Sequence, residues 1–337
     1  MRTIVLSAIN AEHFPWNFLA ALGIQHVLAR TTGQPIKLHW MADPVWTAVV
    51  SDVDSLESVL TGLQSGARQV SSDPIWTGVA QSPMGVPQKG ITQFLVEDYR
   101  AMIRPIAWDA ETWRWMGLVT EWPSKKVKPA KKDRKGGAQG SAVPSATSAN
   151  SPDQWCVTPT HLHMLSGGQT GVFLEFIREA AAIAATKPGA IEEALWGPWR
   201  YEDTPATKGK GWDETTLGWD ATIPHGWAFT DRQPEKMRKY TVASVAWLAA
   251  EGLRVLPTWN GGGHPRTTGI SPEDARFTFP LWNQPLSLAT VARLLWSVSS
   301  DGPDQWRRRG ITTLLQCRRG LGGSKYKPVL LPPTPLW

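Results

Sequence analysis

The chain has 337 residues, 42% of them hydrophobic, enough to bury one large core or two modest ones. It contains no apolar run of about 18 residues, which excludes a membrane span of the usual kind, and the stretch after Met1 is too short and too soon interrupted by Asn10, Glu12 and His13 to read as a signal peptide. Two cysteines, Cys156 and Cys317, exclude a disulfide framework or a four-cysteine zinc site and fit a reducing cytoplasm.

In chain order, Thr3 to Ile9 predicts a short strand. Pro15 to about Ala29 predicts a buried helix, apolar all round through Phe18, Leu19, Leu22, Val27 and Leu28. Ile36 to Trp40 predicts a second strand. Asp54 or Ser55 caps a helix bearing Leu56, Val59, Leu60 and Leu63, with Gly66 just past its end. A further helix is expected from about Thr92 to Arg104, stopped by Pro105. Residues 123–153 run from lysines into a Gly/Ser/Ala-rich tract that cannot enter a core, and read as disordered. They separate an N-terminal α+β part (1–122) from a C-terminal, mainly helical part (154–337). The reading favoured is one domain interrupted by a long loop.

Beyond the tract, Trp155 to Leu165 reads as a strand, followed by the Ser166–Gly171 turn and a helix with a stripe of Phe173, Phe176, Ile177, Ala180 and Ala184. Lys187-Pro188-Gly189 ends it. Residues 196–235 are loop-rich. Helices follow at about Thr241–Glu251, closed by Gly252, after a Ser287 cap, and over about Asp304–Arg319 between Pro303 and Gly320. The fold class expected is α+β: mixed, loop-rich, with short strands, about seven helices and a tryptophan-rich core, for the chain holds 20 tryptophans.

Charge is unevenly placed. Lys125, Lys126, Lys128, Lys131, Lys132, Arg134 and Lys135 face a single acid, Asp133, within 125–150; Arg307, Arg308, Arg309, Arg318, Arg319, Lys325 and Lys327 face none within 305–327. The net charge of +6 therefore sits as two basic features on a mildly acidic body, which points to a polyanion. The lysine run can track phosphates with steep salt dependence, or can be a solvated loop. Arg308, Arg309, Arg318 and Arg319 can grip a phosphate backbone or serve the dipole of their own helix. Arg266, after Gly261-Gly262-Gly263-His264-Pro265, is another candidate phosphate contact, and the turn of Gly167, Gly168 and Gln169 can hold an anion on backbone N–H groups. That turn lacks the lysine of a P-loop. Cys156, His161 and His163 fall short of a metal set, and Asp109, Glu111, Asp213, Glu214 and Asp220 form no recognisable pair. Neither catalytic residues nor a cofactor nor a metal are expected.

Several segments together carry a resemblance: Asn17-Phe18-Leu19-Ala20-Ala21-Leu22-Gly23-Ile24, Pro35 to Trp40, Leu165 to Gln169, Leu195-Trp196-Gly197-Pro198-Trp199-Arg200-Tyr201, Leu217-Gly218-Trp219-Asp220 and Pro280-Leu281-Trp282. In this order they resemble the tryptophan-rich proteins of type I-G (formerly I-U) CRISPR operons, which stand in the place of the large subunit or extend the helicase-nuclease. The resemblance implies a cytoplasmic, non-catalytic antiviral-defence subunit that binds crRNA, target DNA and other subunits of the effector complex. Base pairing to the guide would read sequence while the protein reads shape and a flanking motif. The alternatives are a nuclease or nucleotide-processing enzyme of the same operon, and a purely structural scaffold.

Overall fold

The computed structural model describes residues 2–72, 117–121, 155–162, 170–204, 218–220, 240–260, 265–271, 276–298, 302–321 and 328–336. Among them the chain forms a mixed α+β fold with seven α-helices, short antiparallel strands and a tryptophan-containing core. The expected helix at Thr92–Arg104 and the tract 123–153 lie outside the described residues.

Strand β1 (Arg2–Asn10) leads into helix α1 (Pro15–Thr32). Pro15 opens α1 in its first turn, where its missing N–H costs nothing, and Gly33 closes it in the left-handed conformation with its N–H on the Ala29 carbonyl. Every residue from Pro15 to Gln25 is buried, as an all-round apolar helix requires. Strands β2 (Lys37–Ala42) and β3 (Trp46–Val53) follow. β3 pairs antiparallel with both β1 and β2, so β1 and β2 run parallel with β3 between them, a split βαβ unit. β3 is an addition to the strands expected from sequence, although Asp43-Pro44 marks the turn before it and Val49, Val50 and Val53 supply β-branched residues.

Helix α2 (Leu56–Ser72) continues well beyond Gly66. This corrects the expected end: Gly62 and Gly66 lie one turn apart on the face that meets α1, and a side chain at Gly66 would strike Val27. Two-stranded β4 (Gly117–Glu121) and β5 (Trp155–Pro159) pair antiparallel, so the expected strand from Trp155 stops at Pro159. Helix α3 (Thr170–Thr186) packs on α2, and α4 (Ala190–Trp196) follows after Gly189.

Helix α5 (Ala243–Gly252) is buried along its whole length against α1. The α-helix ends at Gly252, as expected, but Gly252 is not a left-handed cap. It keeps helical angles and passes into a 3₁₀ turn, Leu253–Val255. Its role is close approach: a Cβ on Gly252 would sit 2.0 Å from the Leu19 carbonyl oxygen, and one on Gly23 would sit 1.8 Å from that of Leu248. The two backbones touch where only glycine fits. The arrangement is reciprocal, and both helices carry the same pattern, Leu19-Ala20-Ala21-Leu22-Gly23 and Leu248-Ala249-Ala250-Glu251-Gly252.

The hairpin β6 (Thr258–Asn260) and β7 (Pro265–Thr267) comes next, then β8 (Phe277–Trp282) and the two-residue β9 (Leu286–Ser287). β9 joins β2, giving the sheet order β1-β3-β2-β9. Helix α6 (Leu288–Val298) begins at Ser287, whose Oγ accepts the Thr290 N–H at 3.4 Å. The last expected helix is wrong beyond its first turns. α7 (Pro303–Arg308) stops, Gly310 turns at φ +78°, and Ile311–Cys317 is strand β10. The β-branched Ile311-Thr312-Thr313 and the left-handed glycine explain the change. β11 (Arg319–Leu321) pairs with β12 (Pro328–Leu330), while β10 lies between β8 and β13 (Thr334–Pro335).

One hydrophobic core holds residues from both sides of 123–153. Phe18 of α1 stacks on Phe279 of β8 at 4.3 Å and on Trp40 of β2 at 6.0 Å. Trp282 Nε1 donates to the Leu38 carbonyl at 2.8 Å, and Gln25 Nε2 donates to the carbonyls of Ile36 and Leu286. Trp219 and Trp247 are also fully buried, so several indoles serve as core.

Candidate nucleic-acid interface

Lys125, Lys126, Lys128, Lys131, Lys132, Arg134, Lys135, Lys325 and the turn of Gly167, Gly168 and Gln169 lie outside the described residues. Arg266, Arg308, Arg309, Arg318 and Arg319 are described, and all five are exposed. They do not share a helix end. Arg308 and Arg309 close α7, whereas Arg318 and Arg319 follow β10, whose extended length sets the two pairs roughly 25–30 Å apart along the chain. The helix-dipole explanation therefore fails for Arg318 and Arg319. Arg318 gives its carbonyl to the Leu331 N–H, and Arg319 faces Leu330 across the β11–β12 pair. Arg319 is exposed as a whole, yet its neighbours desolvate it enough to hold its guanidinium below the ordinary arginine value.

The Leu195–Tyr201 segment is a corner that ties elements together. Trp196 Nε1 donates to the Val5 carbonyl of β1 at 2.9 Å. A left-handed Gly197 and a cis Gly197-Pro198 bond then bring Trp199 edge-on to Trp16, ring centroids 5.5 Å apart. Arg200 folds back on Glu193 through its backbone N–H at 2.7 Å and its guanidinium at 2.7 and 3.1 Å. Burial alone would raise the Glu193 carboxyl; the hydrogen bonds and charge of Arg200 outweigh it and hold it below the usual range. An open hollow of about 420 Å³ beside this corner is lined by Glu192, Glu193, Trp196 and Arg200. Arg200 there is already paired with Glu193, and Glu192 leaves the lining net negative, which disfavours a phosphate. Lys187 pairs with Asp203 at 2.7 Å, and the other Asp203 oxygen accepts the Ala243 N–H at the start of α5.

Sequence reasoning missed a buried charge cluster between α1 and α5. Glu251, 4% exposed, meets Arg254 at 3.1 Å, and Arg30 and His26 at 3.8 Å. Burial would raise the Glu251 carboxyl, but Arg254 and Arg30, with His26, hold it below the ordinary value. Burial lowers the His26 imidazole to about 4, aided by both arginines against the pull of Glu251. His26 is therefore neutral at neutral pH, and the arginines carry the balance. The available signal was a lone acid in the apolar run of α5 and the His26–Arg30 spacing of one helical turn.

His161 is engaged by Thr267, its Nδ1 lying 3.1 Å from the hydroxyl and its N–H donating to the same oxygen at 3.0 Å. Trp219 Nε1 donates to the Leu162 carbonyl at 2.8 Å. Cys317 is buried, and burial pushes its thiol up. Among the described residues no group of three or more His, Cys, Asp or Glu side chains is placed to hold a metal ion, and no helix is long and apolar enough to cross a membrane.

Comparison with protein-family models, with curated proteins and with solved structures finds no match to this chain.

Proposed function

We propose that this chain is a non-catalytic subunit of a type I-G CRISPR crRNA-guided effector complex, gripping nucleic-acid backbone and contacting neighbouring subunits. The observation that carries the reading is the set of exposed arginines at the two ends of β10, Arg308 and Arg309 at one and Arg318 and Arg319 at the other. Arg308 stands at the end of α7 and Arg319 on β11, with Arg309 and Arg318 beside them next to β10, so their backbone positions are set by regular elements before a polyanion arrives. The sequence resemblance supplies the biological setting, and two of its segments have a physical role here. Gly23 of the Phe18–Gly23 segment makes the α1–α5 approach, and Trp196 and Trp199 of the Leu195–Tyr201 segment bind the corner to β1 and α1.

The test has two arms. The tagged protein is purified from cells expressing its whole operon, and copurifying RNA and proteins are identified; crRNA and a backbone subunit are expected. Separately, replacing Arg308, Arg309, Arg318 and Arg319 by glutamine is expected to weaken DNA binding and to flatten its salt dependence by about 0.9 in log–log slope for each phosphate no longer neutralised. A protein that stays alone in the first arm, with an unchanged slope in the second, refutes the proposal. Metal-dependent strand cleavage abolished by changing one acid would replace it with the nuclease reading.

A further inference from the structure

The hairpin β6–β7 and helix α6 bring two indoles together at the surface. Trp259 and Trp296 lie with ring centroids 4.4 Å apart at an interplanar angle of 42°, and Trp296 remains 50% exposed. Alternation fixes which way the hairpin faces. Thr258 and Thr267, directly opposite each other, are buried and share a hydroxyl contact of 3.0 Å. The next pair along, Trp259 and Arg266, therefore projects from the other face, and Arg266 is exposed. On α6, Val291, Leu294, Leu295 and Val298 fill the core side, leaving Arg293 and Trp296 outward, one turn apart. Two indoles and two guanidinium groups thus occupy one surface, and β6, β7 and α6 contain no carboxylate.

From this we infer that Trp296, backed by Trp259, is a stacking platform for an unpaired base of a single-stranded nucleic acid, with Arg266 and Arg293 meeting the flanking phosphates. The inference rests on the nucleic-acid reading above and specifies the strand state that this surface takes. An indole offers a flat π-face to any base, and the two exposed cations answer the charge of the backbone. A duplex keeps its bases stacked on each other and cannot use the platform. A protein partner would find an apolar centre here, but the cations on both sides, without an acid in these elements, favour a polyanion.

The experiment measures fluorescence anisotropy of a labelled oligothymidylate of about 15 nucleotides, and of a duplex of equal length, against the full chain and its Trp296→Ala, Trp296→Tyr and Arg266→Gln/Arg293→Gln variants. Trp296→Ala is expected to weaken single-strand binding about tenfold with the salt slope kept, and Trp296→Tyr to restore most of it, as the removal of one stacked base predicts. The double arginine variant is expected to weaken binding and flatten the slope. Duplex affinity is expected to be the same for Trp296→Ala as for the parent. If the parent binds the single strand and Trp296→Ala binds it equally well, the platform is overturned while the broader reading stands; loss of a copurifying operon protein in that same variant would assign the surface to protein. If the parent binds neither strand form, both fall together.

Discussion

His26 and Glu251 face each other across α1 and α5, and they make stability depend on pH in two separable windows. In the unfolded chain His26 titrates near its ordinary value of about 6.5, whereas the folded protein holds it at about 4. The unfolded state therefore takes up the proton first, and the folded state loses stability as pH falls between these values, by about 3 kcal/mol in all. Glu251 acts lower. Its folded carboxyl lies below the ordinary carboxylate value, so its contribution is complete above that value and is lost as pH falls through the lower, folded one. His26→Gln, neutral at every pH, is expected to flatten the urea-unfolding free energy between pH ~6.5 and ~4 while leaving the steeper acid limb below it. Equal slopes in parent and variant would show that another group governs that window. Arg30 and Arg254 stay charged throughout and add no slope there, whereas burial also lowers the imidazoles of His39 and His161, so the variant is expected to flatten the slope in part and not to abolish it.

At the scale of elements, the α1–α5 pair turns on its two glycines. A methyl group on Gly252 has no room, since the atom it would strike is backbone. Gly252→Ala is expected to cost about 3 kcal/mol or more by forcing the helices apart, seen as a lower urea midpoint with an unchanged denaturant slope. Gly66→Ala is expected to cost less, because there the obstruction is the Val27 side chain. The same elements show how far the sequence is readable. α1 follows from its all-round apolar run and Pro15, and the start of α6 from Ser287, since both signals are local. The ends that mislead are glycine positions. Gly66 looks like a helix stop but lies inside α2, and Gly252 ends α5 without a left-handed turn; both are there for neighbours distant in the chain, which no local pattern can reveal. β10 imitates a helix because a basic run is flanked by Pro303 and Gly320; Gly310 is the punctuation that breaks it. The candidate site is legible as charge and not as geometry. Arg308, Arg309, Arg318 and Arg319 stand out by composition, while the strand that separates them and the pairing of Trp259 with Trp296 need the fold.

Across the whole molecule, the two sides of 123–153 are joined by burial and not by the chain alone. α1 comes from one side and α5, β8 and α6 from the other, and Phe18, Gln25 and Trp282 cross between them. Expressed alone, residues 1–122 would leave the α5-facing side of α1 in water, and residues 154–337 would leave the α1-facing side of α5 in water. Each half is expected to be insoluble or unfolded by itself, whereas coexpressed halves are expected to copurify with a native circular-dichroism spectrum; an independently folded, cooperatively melting half would refute this. Trp196 has a further consequence at this scale. Its indole and α4 lie along the outer side of β1 and engage the Val5 carbonyl there, while the opposite margin of the sheet is finished by the two residues of β9. β9 covers Lys37 and Leu38 of β2, so each margin of the sheet is partly occupied, which shortens the template open to a strand from another copy and blunts edge-to-edge aggregation.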